Sequence, residues 1–227
     1  MRNRRSLLAI VLLISVLTIG SISAYFTDGD TATNTFVVGN ISLDLQEPNW
    51  DPDDAKDVVP NEEITKDPQI KNDGTNEEYV FMQVLVPYAN VVACDDDGTA
   101  KAAADTELFT YTVGSGWFEF TSPVKDSDNN VMVHTYAYGD ATACTALAKD
   151  ATTPALFEKV KVANIVEGQD LSAVNTNLVI NAFGIQTANI DGGKVKPDDI
   201  WLILSKQLPS TAQDATVTED AKTDIKQ

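Results

Sequence analysis

Leu108-Phe109-Thr110-Tyr111-Thr112-Val113, then Gly114-Ser115-Gly116, then Trp117-Phe118-Glu119-Phe120-Thr121 is a run of alternating side chains broken by a glycine-bearing turn. Phe109, Tyr111 and Val113 alternate with threonines, and Phe118 and Phe120 resume the alternation after the turn. A period of two belongs to strands, so the stretch predicts a β-hairpin. The same pattern extends outward in both directions. Val131 to Tyr138 alternates between two clusters of turn residues, Asp126-Ser127-Asp128-Asn129-Asn130 and Gly139-Asp140. Tyr79 to Val86 is almost wholly apolar, as suits a central strand covered on both faces, and Pro87 is expected to end it. Thr35 to Leu45 places Phe36 and Val38 on one phase and Ile41, Leu43 and Leu45 on the other, with a bulge expected at Gly39-Asn40. Leu178 to Gln186 and Ile200 to Lys206 complete the predicted strands, with short helices or loops at Ala141 to Lys149 and Leu171 to Asn175. The expected fold is all-β: a single jelly-roll-like β-sandwich over residues 25–207, with short helices in its connections. Residues 208–227 hold too few branched apolar side chains to offset their ordering entropy and predict a flexible, polar tail.

The first 24 residues set the expected location. Arg2, Arg4 and Arg5 precede an uncharged apolar run from Leu7 to Ile19, and Ile22-Ser23-Ala24 puts a small residue before Tyr25. This is the layout of a signal peptide cleaved between Ala24 and Tyr25. The greasy part is shorter than the ~20 residues a bilayer span needs, so a retained anchor is the weaker reading. The mature chain is therefore expected to be secreted, touching the membrane only through the uncleaved leader. Removing the leader takes three arginines and no acidic residue, which moves the net charge from −18 to −21. Such a surface repels nucleic acid and excludes it as a partner. Two cysteines in an exported chain, Cys94 and Cys144, predict one disulfide, with two free buried thiols as the alternative.

Chemistry-bearing motifs are sparse. His134 is the single histidine, on a polar phase of its strand and expected to be exposed. One histidine does not supply the several nitrogen ligands of a zinc peptidase, and no glycine-flanked nucleophile accompanies it. Asp126-Ser127-Asp128-Asn129-Asn130 begins like a calcium loop but has Val131 where glycine is needed and Ala137 where a bidentate glutamate is needed, so a polar hairpin turn is expected. Asp95-Asp96-Asp97-Gly98 reads as a second turn. No catalytic residue, metal site or cofactor is predicted.

Three stretches together resemble a known group. Ala24-Tyr25-Phe26-Thr27-Asp28, with Thr31 to Phe36 and Val38 to Leu45, is similar to the start of exported proteins processed by the SipW type of signal peptidase. Val59-Pro60, Ile64-Thr65-Lys66-Asp67-Pro68, Asn72-Asp73-Gly74 and Glu78-Tyr79-Val80 resemble the segment that follows in TasA, camelysin and their relatives. Phe183-Gly184-Ile185-Gln186 resembles their late strand. The resemblance implies a secreted, jelly-roll-like subunit that polymerises with itself into fibres of a biofilm matrix or cell surface. It also implies that the N-terminal segment of one subunit completes the sheet of the next. On that reading Tyr25, Phe26, Phe36, Val38, Ile41, Leu43 and Leu45 are the donated residues. Two alternatives stay open: that 25–45 is the first strand of its own sandwich, or that Tyr25 to Asn34 is donated and Thr35 to Leu45 kept. The camelysin branch carries a metallopeptidase label, and a monomeric surface adhesin is a further alternative.

Overall fold

The computed structural model describes residues 41–55, 58–95, 97–166, 168–169, 171, 174, 176–188 and 190–208. The expected cleavage site at Ala24 and Tyr25, the donor residues Phe26, Phe36 and Val38, and residues 209–227 of the expected tail lie outside them.

Among the described residues the order is β1 (Leu43–Gln46), β2 (Glu63–Thr65), β3 (Gln69–Asn72), β4 (Glu78–Val91), β5 (Ala104–Glu107), β6 (Phe109–Tyr111), β7 (Trp117–Glu119), β8 (Val124–Asp126), β9 (Val131–Tyr138), β10 (Lys159–Val162), β11 (Val179–Gln186) and the helix α1 (Pro197–Ser205). One sheet runs β11-β4-β9-β7, with β8 also on β9 and β5 on the far end of β4. A second sheet is β2-β10-β6, and β1 pairs with β3 alone. All of these pairings are antiparallel. The sheets curl into a half-barrel, which is the all-β sandwich expected from the sequence.

β4 is the axis of this arrangement. Val80, Met82, Val84 and Val86 enter the larger core, where Ile64, Phe109, Val160 and Val162 meet them from the second sheet. On the other face Phe81 joins Phe183, Ile185, Ile200, Trp201 and Leu204, so α1 closes the outside of the main sheet. Both faces of β4 are thus buried, and its near-continuous apolar sequence follows from that. Trp201 anchors the outer layer, with ring centroids 5.3 Å from Phe81, 5.4 Å from Phe183 and 6.1 Å from Phe120.

Several elements differ from expectation. Pro87 does not end β4. The strand continues to Val91, and Pro87 marks where its partner changes from β9 to β5. A proline has no N–H to give a ladder, so the hand-over point is a position that tolerates it. Leu108 to Val113 and Trp117 to Thr121 are strands but do not pair as a hairpin. β6 joins β10 in one sheet and β7 joins β9 in the other. The turn between them crosses the sandwich: Gly114 donates its N–H to Leu156 O at 2.7 Å, and a Cβ on Gly114 would stand 2.5 Å from Ala155 O. That close approach explains the glycine without a tight turn. Ile200 to Lys206 is the helix α1 and its exit, not a strand. Pro197 opens it, Asp198 and Asp199 fill its first turn, and the buried residues Pro197, Ile200, Trp201, Leu204 and Ser205 follow helical spacing. Ala141 to Lys149 is loop, held by the Asp140 carboxylate, which accepts from the Thr142 and Ala143 amides. Leu208, placed at the start of the tail by composition, is buried with α1.

Candidate functional site

The described chain enters the domain at β1, and the local sequence fixes that entry twice. Ile41 and Leu43 are buried in the larger core and Leu45 packs against it, so three of the residues assigned to donation are seated in their own domain. β1 pairs with β3 from Leu43↔Asn72 to Gln46↔Gln69. Immediately after β1, Glu47 Oε2 accepts a hydrogen bond of 2.9 Å from Lys66 Nζ, while Oε1 lies in ionic contact at 2.8 Å without a hydrogen bond of its own. Both side chains are nearly enclosed, at 5% exposure for Lys66 and 11% for Glu47. The Lys66 ammonium also sits 4.3 Å from the Trp50 ring centroid. Asn49 donates its backbone N–H and its Nδ2 to the two carboxylate oxygens of Asp67, at 3.0 and 2.7 Å. The Lys66-Asp67 pair of the familiar segment therefore clamps residues 47–50.

Beside β1 runs β11, the end strand of the main sheet. Its eight residues, Val179-Ile180-Asn181-Ala182-Phe183-Gly184-Ile185-Gln186, pair with β4 on one side. Among the described residues its other side has no backbone partner. It contains no charged residue and no proline, the two usual protections of a free edge. Each of the other end strands of these sheets has three or four residues.

β1 meets β11 at Gly184. A Cβ there would stand 2.8 Å from Leu43 Cδ1 and 3.3 Å from Glu78 Oε2, so glycine makes room for both side chains. Glu78 is fully buried, and neither carboxylate oxygen has a hydrogen-bond partner among the described residues. Burial pushes its pKa up from 4.5 to about 7, and the nearby Ser42 amide only tempers the rise. Sequence patterning missed Glu78, because a glutamate opening an apolar strand reads as a solvated end.

A second polar cluster lies where β5, β6, β7 and β9 converge. His134 is not exposed as expected: its side chain is 13% accessible. Nδ1 is 2.8 Å from Glu119 Oε1 and Nε2 is 3.1 Å from Glu107 Oε2. Burial alone would lower its pKa, but the hydrogen bonds and charges of the two glutamates outweigh it and raise the pKa above 6.5. The ring stacks on Tyr136, whose hydroxyl is 3.0 Å from that of Tyr111. The arrangement is an imidazolium clamp between two strands' ends, a pairing that spacing along the sequence does not reveal.

The expected disulfide between Cys94 and Cys144 is corrected: both are free thiols. Cys144 bridges to Gly139, next to the β9 end that pairs with Phe81, whereas Cys94 lies just past Val91 at the opposite end of β4. At ~3.3 Å per residue that strand alone separates them by tens of ångströms, against the ~7 Å limit for bonded Cα atoms. Burial and the charge of Asp198 push the Cys144 thiol up to about 12. The two acidic segments are turns, as expected. Asp126 Oδ1 accepts the amides of Asp128 and Asn129 at 3.0 and 3.1 Å, and Gly98, at φ +84°, closes its turn onto Asp95 O.

Residues 5–102 match the family model described as camelysin metallo-endopeptidase. No curated protein and no solved structure matches. The family's description implies a catalytic metal, and the donor set here does not fit one. Both nitrogens of His134 are engaged by carboxylates, its raised pKa favours the imidazolium, and no three His, Cys, Asp or Glu among the described residues are grouped to hold an ion. The matched stretch runs from the leader through β1, the Lys66-Asp67 clamp and all of β4. Through residues 5–102 the chain belongs to the camelysin family, the family that includes TasA.

Proposed function

We propose that the mature chain is a structural subunit of extracellular fibres, in a biofilm matrix or on the cell surface, joined by strand donation. The observation that carries this reading is the free edge of β11: eight uncharged residues, paired on one side among the described residues, beside the point where the N-terminal segment enters. An added strand gains a ladder of backbone hydrogen bonds, with alternate side chains setting its register. Since Ile41 to Gln46 is held at home, the donated part is assigned to residues upstream of it, with Tyr25 and Phe26 at its tip and Phe36 and Val38 nearer the domain. Secretion through the leader and cleavage by a SipW-type peptidase would free that segment. No catalytic role or cofactor belongs to this reading.

The test is electron microscopy of the purified mature chain beside a variant lacking residues 25–34. The full mature chain should form filaments and the truncated one should remain a folded monomer. Normal filaments from the truncated chain would refute donation by this segment, and a monomeric full chain would favour an adhesin. The family's description favours one other reading, a secreted metallopeptidase. Casein cleavage that chelator abolishes and zinc restores would establish it.

A further inference from the structure

The least explained group in the fold is Glu78. A fully buried carboxyl with both oxygens unpartnered is costly when ionised, and it stands at the contact between β1 and β11. We propose that Glu78 is a titratable latch: it keeps β1 docked on its own subunit while the carboxyl is neutral and loosens β1 when the carboxyl ionises.

The geometry favours β1 as the element that responds. Glu78 opens β4, whose neighbouring residues are fixed by pairing to β11 and, through Leu147, by two backbone hydrogen bonds of 3.1 and 2.8 Å. Against it from β1 come the Leu43 side chain and the Ser42 amide; from β11 comes Gly184. β1 is the lightest of these elements, four residues paired to β3 alone. Drawing water to an ionised Glu78 requires Leu43 to lift, and Leu43 lifts with β1. No charged group counters the carboxylate. Asp44 of β1, Lys71 of β3, Asp73 and Asp150 interact around Lys71 at the surface, and none of them acts on Glu78. Glu77 and Tyr79 flank it along the chain, and Lys149 lies beyond Leu147, without contributing either.

The direction follows from the raised pKa. A carboxyl at about 7 when docked and about 4.5 when free favours docking most below pH 4.5, progressively less up to pH 7, and no differently above that. The full range corresponds to about 300-fold in the docking equilibrium. The clamp of Lys66 and Asp67 on residues 47–50 lies downstream and does not titrate with Glu78, so release stops at Gln46. For a fibre built by strand donation, on which this consequence rests, release lengthens the free N-terminal arm by six residues, roughly 20 Å when extended.

Hydrogen–deuterium exchange on dilute, monomeric mature chain tests the latch apart from fibre formation. After correction for intrinsic rates, protection of amides 42–46 should fall by up to about 300-fold between pH 4.5 and 7.5, while β9 stays protected. Glu78→Gln should hold amides 42–46 protected throughout, and Glu78→Met, which removes the polar oxygens altogether, should do the same and carries the comparison if the amide variant does not fold. A flat wild-type profile, or a variant that keeps the wild-type profile, would overturn the latch. Filament formation with a flat profile would leave strand donation standing and remove only the latch; a clear profile without filaments would do the reverse.

Discussion

Replacing Lys66 by methionine tests whether the junction after β1 is held by its charges. Methionine keeps most of the apolar stem and removes the ammonium that Glu47 and the Trp50 ring share. Removing one partner of a buried pair costs about 3–5 kcal/mol, since the other charge is left enclosed without compensation. Glu47 keeps 11% exposure and gains some water, which argues for the lower end, and the lost ring contact adds about 1 kcal/mol. A net loss of about 3 kcal/mol is expected. With an m-value of roughly 2 kcal/mol/M in urea, the midpoint should fall by about 1.5 M. Lys159→Met is the matched control. Its partner Glu63 is 3.0 Å away, but the two side chains are 60% and 56% exposed, so the loss should stay below about 0.5 kcal/mol. Combining Lys66→Met with Glu47→Leu should recover most of the stability, because replacing a whole buried pair by apolar groups is often neutral. Equal midpoint shifts for Lys66→Met and Lys159→Met would refute the reasoning.

The His134 clamp stabilises the fold fully below its unfolded pKa of about 6.5 and loses that contribution as pH rises through the raised folded value, so the melting temperature should decline on the alkaline side of neutrality and do so less in His134→Gln. Cys94 and Cys144 should both alkylate when the chain is unfolded without reductant, and in the native state the partly exposed Cys94 should react first; a mass rise on reduction would instead show a bond. Trp201→Ala should cost about 3–5 kcal/mol by chemical denaturation, whereas Leu202→Ala, one residue on and 45% exposed, should stay within about 0.5 kcal/mol.

Strand content was legible where local pattern and environment agree. Val131 to Tyr138 and Leu178 to Gln186 appear as β9 and β11 nearly to the residue, because alternation or sustained apolarity there matches what the neighbours bury. Pairing was not legible. The Phe109–Thr121 stretch alternates as a hairpin would, yet its two strands belong to different sheets, and nothing in a period of two says which neighbour a strand takes. Ile200 to Leu204 is too short an apolar run for period to separate strand from helix; Pro197 and Asp198-Asp199 were the usable signals. At the candidate site, the Phe183-Gly184-Ile185-Gln186 stretch pointed to the edge strand, and Lys66-Asp67 to the clamp. Glu78, Glu107 and Glu119 gave no sign, because their roles depend on residues brought together from distant positions in the chain.

The pairing of β4 with β11 also sets the order in which this chain reaches its fold. Those pairs join Leu85 to Val179 and Glu78 to Gln186, positions 94 and 108 residues apart. Closing loops of that length is slow compared with forming local turns. A chain emerging from its N-terminus has β4 available long before β11. Until Gly184 arrives, Glu78 stays in water and Leu43 has only β3 and the nascent core to rest on. The N-terminal segment is therefore the first part of the mature protein made and among the last to find its seat.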